Sequence, residues 1–168
     1  KLSLTNNKAE KYEITQKKLI EEITDHKRAK DKLKESEEKY RSLIESAPEP
    51  VVVIKGENIV YANPEAVKNI GYSEDELSEM SFFDLIAQSD LVESKDRYEN
   101  RKKGMADPSF EIQLVTKSGQ LRWAEATVVT IEWEGDQSFL YFLSDITDRK
   151  HTEEALKSSE ERYRTLFE

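Results

Sequence analysis

The sequence predicts an α+β fold: a five-stranded antiparallel sheet with short helices on one face, preceded by a long N-terminal linker helix. Three observations predict it. All five glycines and all four prolines fall between Pro48 and Gly135, so both ends can run as uninterrupted helix or strand. Between them, two β-branched stretches come first, then a string of helix caps, then three alternating strands. Finally, a segment near the start is repeated at the end.

The first 47 residues are rich in Lys, Glu, Leu and Ile, which favour helix. In a heptad frame the a positions are Leu2, Ala9, Gln16, Ile23, Lys30, Glu37 and Ile44, and the d positions Thr5, Tyr12, Leu19, His26, Leu33 and Tyr40. This mixed seam predicts a coiled coil of modest strength, the other reading being a single amphipathic helix packed on its own domain. Val51–Ile54 and Ile59–Ala62, separated by Lys55-Gly56-Glu57-Asn58, read as a hairpin. Asn63-Pro64 offers a helix cap followed by proline at the first helical position, and Gly71 closes that helix. Ser73-Glu74-Asp75-Glu76 is a capping box and Ser81-Phe82-Phe83-Asp84 resembles another. A longer helix is expected from about 89 to 103, with Gly104 as its stop. Phe110, Ile112 and Leu114 alternate before the turn at 117–120. Leu121, Trp123, Thr127, Val129 and Ile131 follow at period two, and after the turn at 134–136 Phe139–Leu143 forms the last strand.

Residues 23–45 read ITDHKRAKDKLKESEEKYRSLIE and residues 146–168 read ITDRKHTEEALKSSEERYRTLFE. Shared helical composition alone does not preserve both the Ile-Thr-Asp start and the Tyr-Arg end. The offset is 146 − 23 = 123 residues, the size of a small domain, which predicts a tandem array of domains joined by like linkers. Lys1 in place of Met fits a piece of a longer chain, whose remainder could carry a membrane anchor. The expected organisation is a helical linker over 1–37, one domain over 38–148, and a linker leading into a following domain over 149–168.

Charge and composition narrow the function. Hydrophobic and charged residues each make up 36%, so the surplus charge belongs on exposed helices rather than in a second core. Residues 1–45 carry 12 Lys/Arg against 10 Asp/Glu, and 46–168 carry 14 against 25. An acidic globular part argues against nucleic acid as a partner. No apolar run reaches the length of a membrane span. There are no cysteines, which removes disulfides, thiolate metal sites and a cysteine nucleophile. No nucleophile–base constellation or metal-ligand cluster stands out, so no catalytic or metal residue is assigned.

Several stretches resemble the PAS family with its C-terminal PAC portion: Glu38 to Pro48, Tyr61-Ala62-Asn63-Pro64, Ile70-Gly71-Tyr72-Ser73, Lys117-Ser118-Gly119, Arg122-Trp123 and Asp145 to Lys150. Their order and spacing carry the resemblance. It implies a non-catalytic sensor, relay or dimerisation module of a signalling protein, most often a multi-PAS sensor histidine kinase of a two-component system. The implied partners are neighbouring PAS and output domains of the same chain; the heptads suggest a second copy through the linker helices as a parallel helix pair, and the absence of cysteine fits a cytoplasmic setting. A ligand-free structural spacer is the alternative reading.

A ligand pocket in such a fold lies between the sheet and the helices, and Phe83, Leu91, Tyr98, Ile112, Leu114, Trp123 and Phe142 are the candidate lining; a filled core needs the same residues. The long helix has no histidine, which weighs against proximal-His haem. The missing cysteine rules out a cysteinyl-flavin adduct, leaving non-covalent flavin, a small organic ligand or none. His26 and His151 read as surface linker residues, and Asn63 as a cap. Asp145 and Thr147 end an apolar strand that propensity does not ask to be polar. The expectation is that Asp145 pairs with Arg122 or a backbone N–H while the Thr147 hydroxyl caps the outgoing helix, making Arg122, Asp145 and Thr147 the signal-coupling set.

Overall fold

With no glycine or proline before Pro48, one helix runs without interruption: α1 spans Leu2–Glu45. The computed structural model describes residues 2–167, with side chains from residue 7 onward, so the heptad positions Leu2 and Thr5, and the terminal Glu168 of the repeat, lie outside the described side chains. The chain divides into a helical unit ending at Leu43 and a second unit that begins at Ile44. In the first unit the apolar heptad residues Tyr12, Leu19, Ile23, Leu33 and Tyr40 are all exposed.

The second unit is built on five strands, β1 (Val51–Lys55), β2 (Asn58–Ala62), β3 (Ser109–Val115), β4 (Leu121–Trp133) and β5 (Asp136–Asp145). They form one sheet in the order β2-β1-β5-β4-β3, and every pairing is antiparallel. The first and last strands, β1 and β5, are therefore central neighbours, so the chain leaves the sheet beside the point where it came in. The crossover between β2 and β3 holds α2 (Pro64–Ile70), α3 (Glu74–Ser78), a 3-10 turn (Phe82–Leu85) and α4 (Leu91–Lys102). Asn63 caps α2, Ser73 and Ser81 each close a capping box, and Gly71 ends α2 at a φ of 86°, where a side chain would be strained. After β5, α5 spans Thr147–Phe167.

All the crossover helices pack on one face of the sheet. Val52, Ile54, Ile112, Leu114, Ala124, Ala126, Val128, Phe139, Tyr141 and Leu143 join Ala66, Ile70, Leu77, Phe82, Phe83, Leu85 and Tyr98 in a single core cluster. Burying a side chain such as Ile54 or Ile112 contributes about 1.5–3 kcal/mol.

The register places two of the expected lining residues on the other face of the sheet. Ile112 pairs with Ala124 and Phe110 with Ala126, while Ala126 pairs with Leu143 and Val128 with Tyr141. The inward positions of β4 are therefore Ala124, Ala126 and Val128. Trp123 and Phe142 fall on the opposite face, where Phe142 pairs with Val51 and Thr127. Sequence reading favoured the large side chains of β4, but small ones face the helices because aromatic rings from other elements fill that space. Phe82 and Tyr141 lie 4.9 Å apart between centroids, and Phe83, Tyr98 and Phe139 follow in edge-to-face contacts at 5.6 and 5.5 Å.

Candidate functional site

The remaining lining candidates are on the helix-covered side of the sheet. Phe83, Tyr98, Ile112 and Leu114 are buried in the core cluster, and Leu91 packs against it half-buried. Their packing leaves little room. A recess lined by Pro50, Ile70, Leu114, Trp123, Ala124 and Leu143 measures about 30 Å³, enough for a water or two and far below the roughly 300 Å³ of an organic-ligand site. Burial pushes the Tyr141 phenol up to about 12, against the pull of the neighbouring Arg101 guanidinium. Arg101 is itself buried, bonded to the Asp107 carbonyl at 2.6 Å. The Tyr98 hydroxyl donates to the Gly56 carbonyl, tying α4 to the β1–β2 turn.

Polar organisation is concentrated where the chain joins the domain and where it leaves. At the incoming end the hub is Asn63, which is fully buried. Its Oδ1 accepts from the N–H groups of Val51 and Ala66, both at 2.9 Å, and its Nδ2 donates to the carbonyls of Ile44 at 3.1 Å and Glu49 at 3.0 Å. The cap expected from Asn-Pro is present, and the same amide also fixes the last turn of α1 and the start of β1. Sequence reading missed that second role. The available signal was an Asn, whose amide can serve two donors and two acceptors at once, where Ser or Asp would cap equally well.

At the outgoing end, Arg122 Nη1 donates to Asp145 Oδ2 at 3.0 Å, and Asp145 Oδ1 accepts the Thr147 N–H at 2.9 Å. Burial alone would raise the Asp145 carboxyl, but the hydrogen bonds from Thr147 and Arg122 outweigh it and hold the group below the usual aspartate range. Both partners are substantially exposed, so the pair fixes geometry more than it adds energy. Thr147 does not cap α5. Its hydroxyl accepts the Trp123 N–H at 3.0 Å, and the Ile146 N–H donates to the Trp123 carbonyl at 2.9 Å. Ile146 and the first residue of the outgoing helix thus extend the ladder of β4, and the cap-like bond comes from the Asp145 carboxylate two residues upstream of Thr147. Arg122 Nε is buried and has no partner among the described residues.

Two further groups escaped the sequence reading. The Ser144 hydroxyl donates to Glu49 Oε1 at 3.0 Å and the Leu143 N–H to the Pro50 carbonyl at 2.9 Å, which joins the incoming segment directly to the end of β5. On β3, Glu111 accepts from Arg149 at 3.0 Å and pairs with Lys150, and both cations belong to the first turn of α5. The Lys150 ammonium also lies 5.1 Å from the centre of the Trp123 ring. The hydrogen bond from Lys150 draws the Glu111 carboxyl below its ordinary range.

With this geometry established, the chain can be set beside known proteins. A family model described as the PAS fold matches residues 38–146. The chain belongs to the PAS family. PAS domains are sensory modules and are not themselves catalysts. Solved PAS structures share the fold. One is the PAS domain of an HTR-like protein from Haloarcula marismortui, at a TM-score of 0.59 and 22% identity over 71% of this chain and 99% of that one. Another is a sensory box histidine kinase/response regulator from Burkholderia thailandensis, at 0.59 and 22% over 75% and 98%. Among curated relatives, the sensor histidine kinase TmoS of Ectopseudomonas mendocina is 30% identical over 72% of this chain and 13% of its own length. The methyl sulfide methyltransferase-associated sensor of Methanosarcina acetivorans is 28% identical over 84% of this chain and 14% of its own. The chain thus spans about one seventh of the curated relatives it matches. Among the described residues no helix is long and apolar enough to cross a membrane.

Proposed function

We propose that this PAS domain is a relay within a larger signalling protein, a sensor histidine kinase of a two-component system, working as a homodimer through its linker helices on the cytoplasmic side. The observation that carries the reading is the side-by-side bonding of the two helix junctions. Ile44, at the end of α1, is held by Asn63, and Glu49 bridges to Ser144, next to the Asp145 that fixes Thr147 at the start of α5. A displacement of α1 reaches α5 through a few hydrogen bonds at one end of the sheet, biasing the outgoing helix between two arrangements. The test uses the full-length parent, with kinase output measured in Asn63→Asp and Asp145→Ala. Stimulus-dependent output should fall in both variants while basal folding persists. Unchanged output in two well-folded variants removes the relay reading.

The small recess favours a second reading, in which the domain binds no ligand and acts as a spacer and dimeriser. Thermal shift against flavins and a panel of small organic metabolites separates a ligand-driven sensor from this spacer. A rise in Tm that scales with ligand concentration identifies the sensor, and a flat response across the panel, together with the filled core, favours the ligand-free spacer.

A further inference from the structure

Where the end of α2 meets the β3–β4 turn, a cleft of about 410 Å³ reverses the charge of the unit around it. Residues 46–168 hold 14 Lys/Arg against 25 Asp/Glu, yet Lys68, Lys117 and Arg122 line this cleft and none of its lining residues carries a carboxylate. Its size falls within the roughly 300–1,000 Å³ of small-molecule sites. It lies at the rim of the domain, and none of the core rings Phe83, Tyr98 and Phe139 lines it. Each cation has an acid neighbour from outside the lining: Glu65 lies 3.6 Å from Lys68, Glu76 2.6 Å from Lys117 and Asp145 3.0 Å from Arg122. Surface pairs of this kind contribute little, so an incoming anion displaces or shares them at small cost. Arg122 has donors to spare. Among the described residues its guanidinium makes one hydrogen bond, to Asp145, of the five that its N–H groups allow, and Nε is buried without an acceptor. The Thr116 and Ser118 hydroxyls lie 2.9 Å apart and share one hydrogen bond, which leaves one of their two hydrogens free to donate. Gln120 adds a side-chain amide to the same lining.

We infer that this cleft binds a small dianion carrying a phosphoryl group, of the phosphate monoester class. Its donors come from three elements around one space: Lys68 from α2, the hydroxyl pair and Gln120 from the β3–β4 turn, and Arg122 from β4. That arrangement suits the three terminal oxygens and double charge of a tetrahedral phosphoryl group better than a planar carboxylate. The inference rests on the relay proposed above and gives it an input. Arg122 Nη1 bonds Asp145 Oδ2, while Oδ1 of the same carboxylate holds the Thr147 N–H. An anion that draws Arg122 toward the cleft loosens the carboxylate that fixes the start of α5.

Amide NMR of this chain, titrated with glycerol 3-phosphate or with succinate at constant ionic strength, tests the site. The Ser118 and Gln120 amides should shift saturably with glycerol 3-phosphate, and Thr147 should follow with the same Kd. Succinate, a dianion of planar carboxylates, should bind about tenfold more weakly. Lys68→Gln, on the exposed rim, should weaken glycerol 3-phosphate about tenfold. Lys55→Gln removes the same charge beside Asp136, at the end of β5 away from Asp145, and should change the Kd by less than about twofold. No saturable shift, or equal weakening in the two variants, overturns the site. Succinate as tight as glycerol 3-phosphate overturns the phosphoryl assignment, and shifts at Ser118 and Gln120 without Thr147 overturn the input to α5. The relay itself is judged on kinase output in Asn63→Asp and Asp145→Ala, so its failure and the failure of this site are distinguishable.

Discussion

The side-chain nitrogen of Asn63 donates to the carbonyl of Ile44 at 3.1 Å, so the cap of α2 also holds the last turn of α1. The Asn63 amide makes four bonds and is fully buried. Asn63→Ala leaves the Val51 and Ala66 N–H groups without acceptors, and should cost about 3 kcal/mol in urea unfolding. Asn63→Asp keeps both acceptors but turns a carboxylate toward the Ile44 and Glu49 carbonyls. Amide exchange should then accelerate at Ala47, whose N–H shares the Ile44 carbonyl, more than at Ile112 in the core. Equal acceleration at both sites counts against a local role.

Asp145 gives a pH prediction whose sign follows from its environment. Its carboxyl is held below the ordinary aspartate value, so its contribution is complete above the unfolded value of about 3.9 and fades as pH falls through the lower folded one. Asp145→Asn should lower stability by about 0.5 kcal/mol at neutral pH, as suits a partly exposed pair. The Tm gap between the two proteins should stay constant from about pH 7 to 5 and close only below about pH 4. A gap that closes near neutrality assigns the effect to some other group.

Much of the fold was legible because local signals and tertiary needs agree. Glycine and proline placement, two capping boxes and the Asn63-Pro64 start each marked an element that the structure contains. The helix-covered face of β4 was not legible from residue size. Leu121, Trp123, Val129 and Ile131 form the conspicuous alternation, yet Ala124, Ala126 and Val128 face the helices. Only pairing with Ile112 and Phe110 on β3 fixes that phase, and register is invisible in one strand alone. The junctions were half legible. Asp145 and Thr147 stood out as polar residues at the end of an apolar strand, but the bond between Ser144 and Glu49 spans 95 residues and left no local trace.

The phase of β4 makes its own prediction. Ala126 is fully buried in the core cluster, so Ala126→Leu should overpack the core and cost about 1–3 kcal/mol. Thr127→Leu, one residue along on the exposed face, should change stability by less than about 0.5 kcal/mol. Equal costs at the two positions contradict the register.

The contact between Glu111 and α5 can be separated from general stability. Glu111 stands directly opposite Glu125 across β3 and β4, so two like charges face each other, and Arg149 and Lys150 pair with Glu111 to offset them. Glu111→Gln removes the repulsion together with the tether, and net stability should move by no more than about 0.5 kcal/mol. Glu125→Gln removes the repulsion alone and should stabilise slightly. The two variants should part company at the helix: without Glu111, Lys150 loses its carboxylate and the first turn of α5 frays beside Trp123. In a Trp133→Phe background, Trp123 emission should shift to the red in Glu111→Gln but not in Glu125→Gln, and high salt should reproduce the shift in the otherwise native chain. Identical emission in both variants means that the ladder from Ile146 and Thr147 to Trp123 orients α5 without help from Glu111.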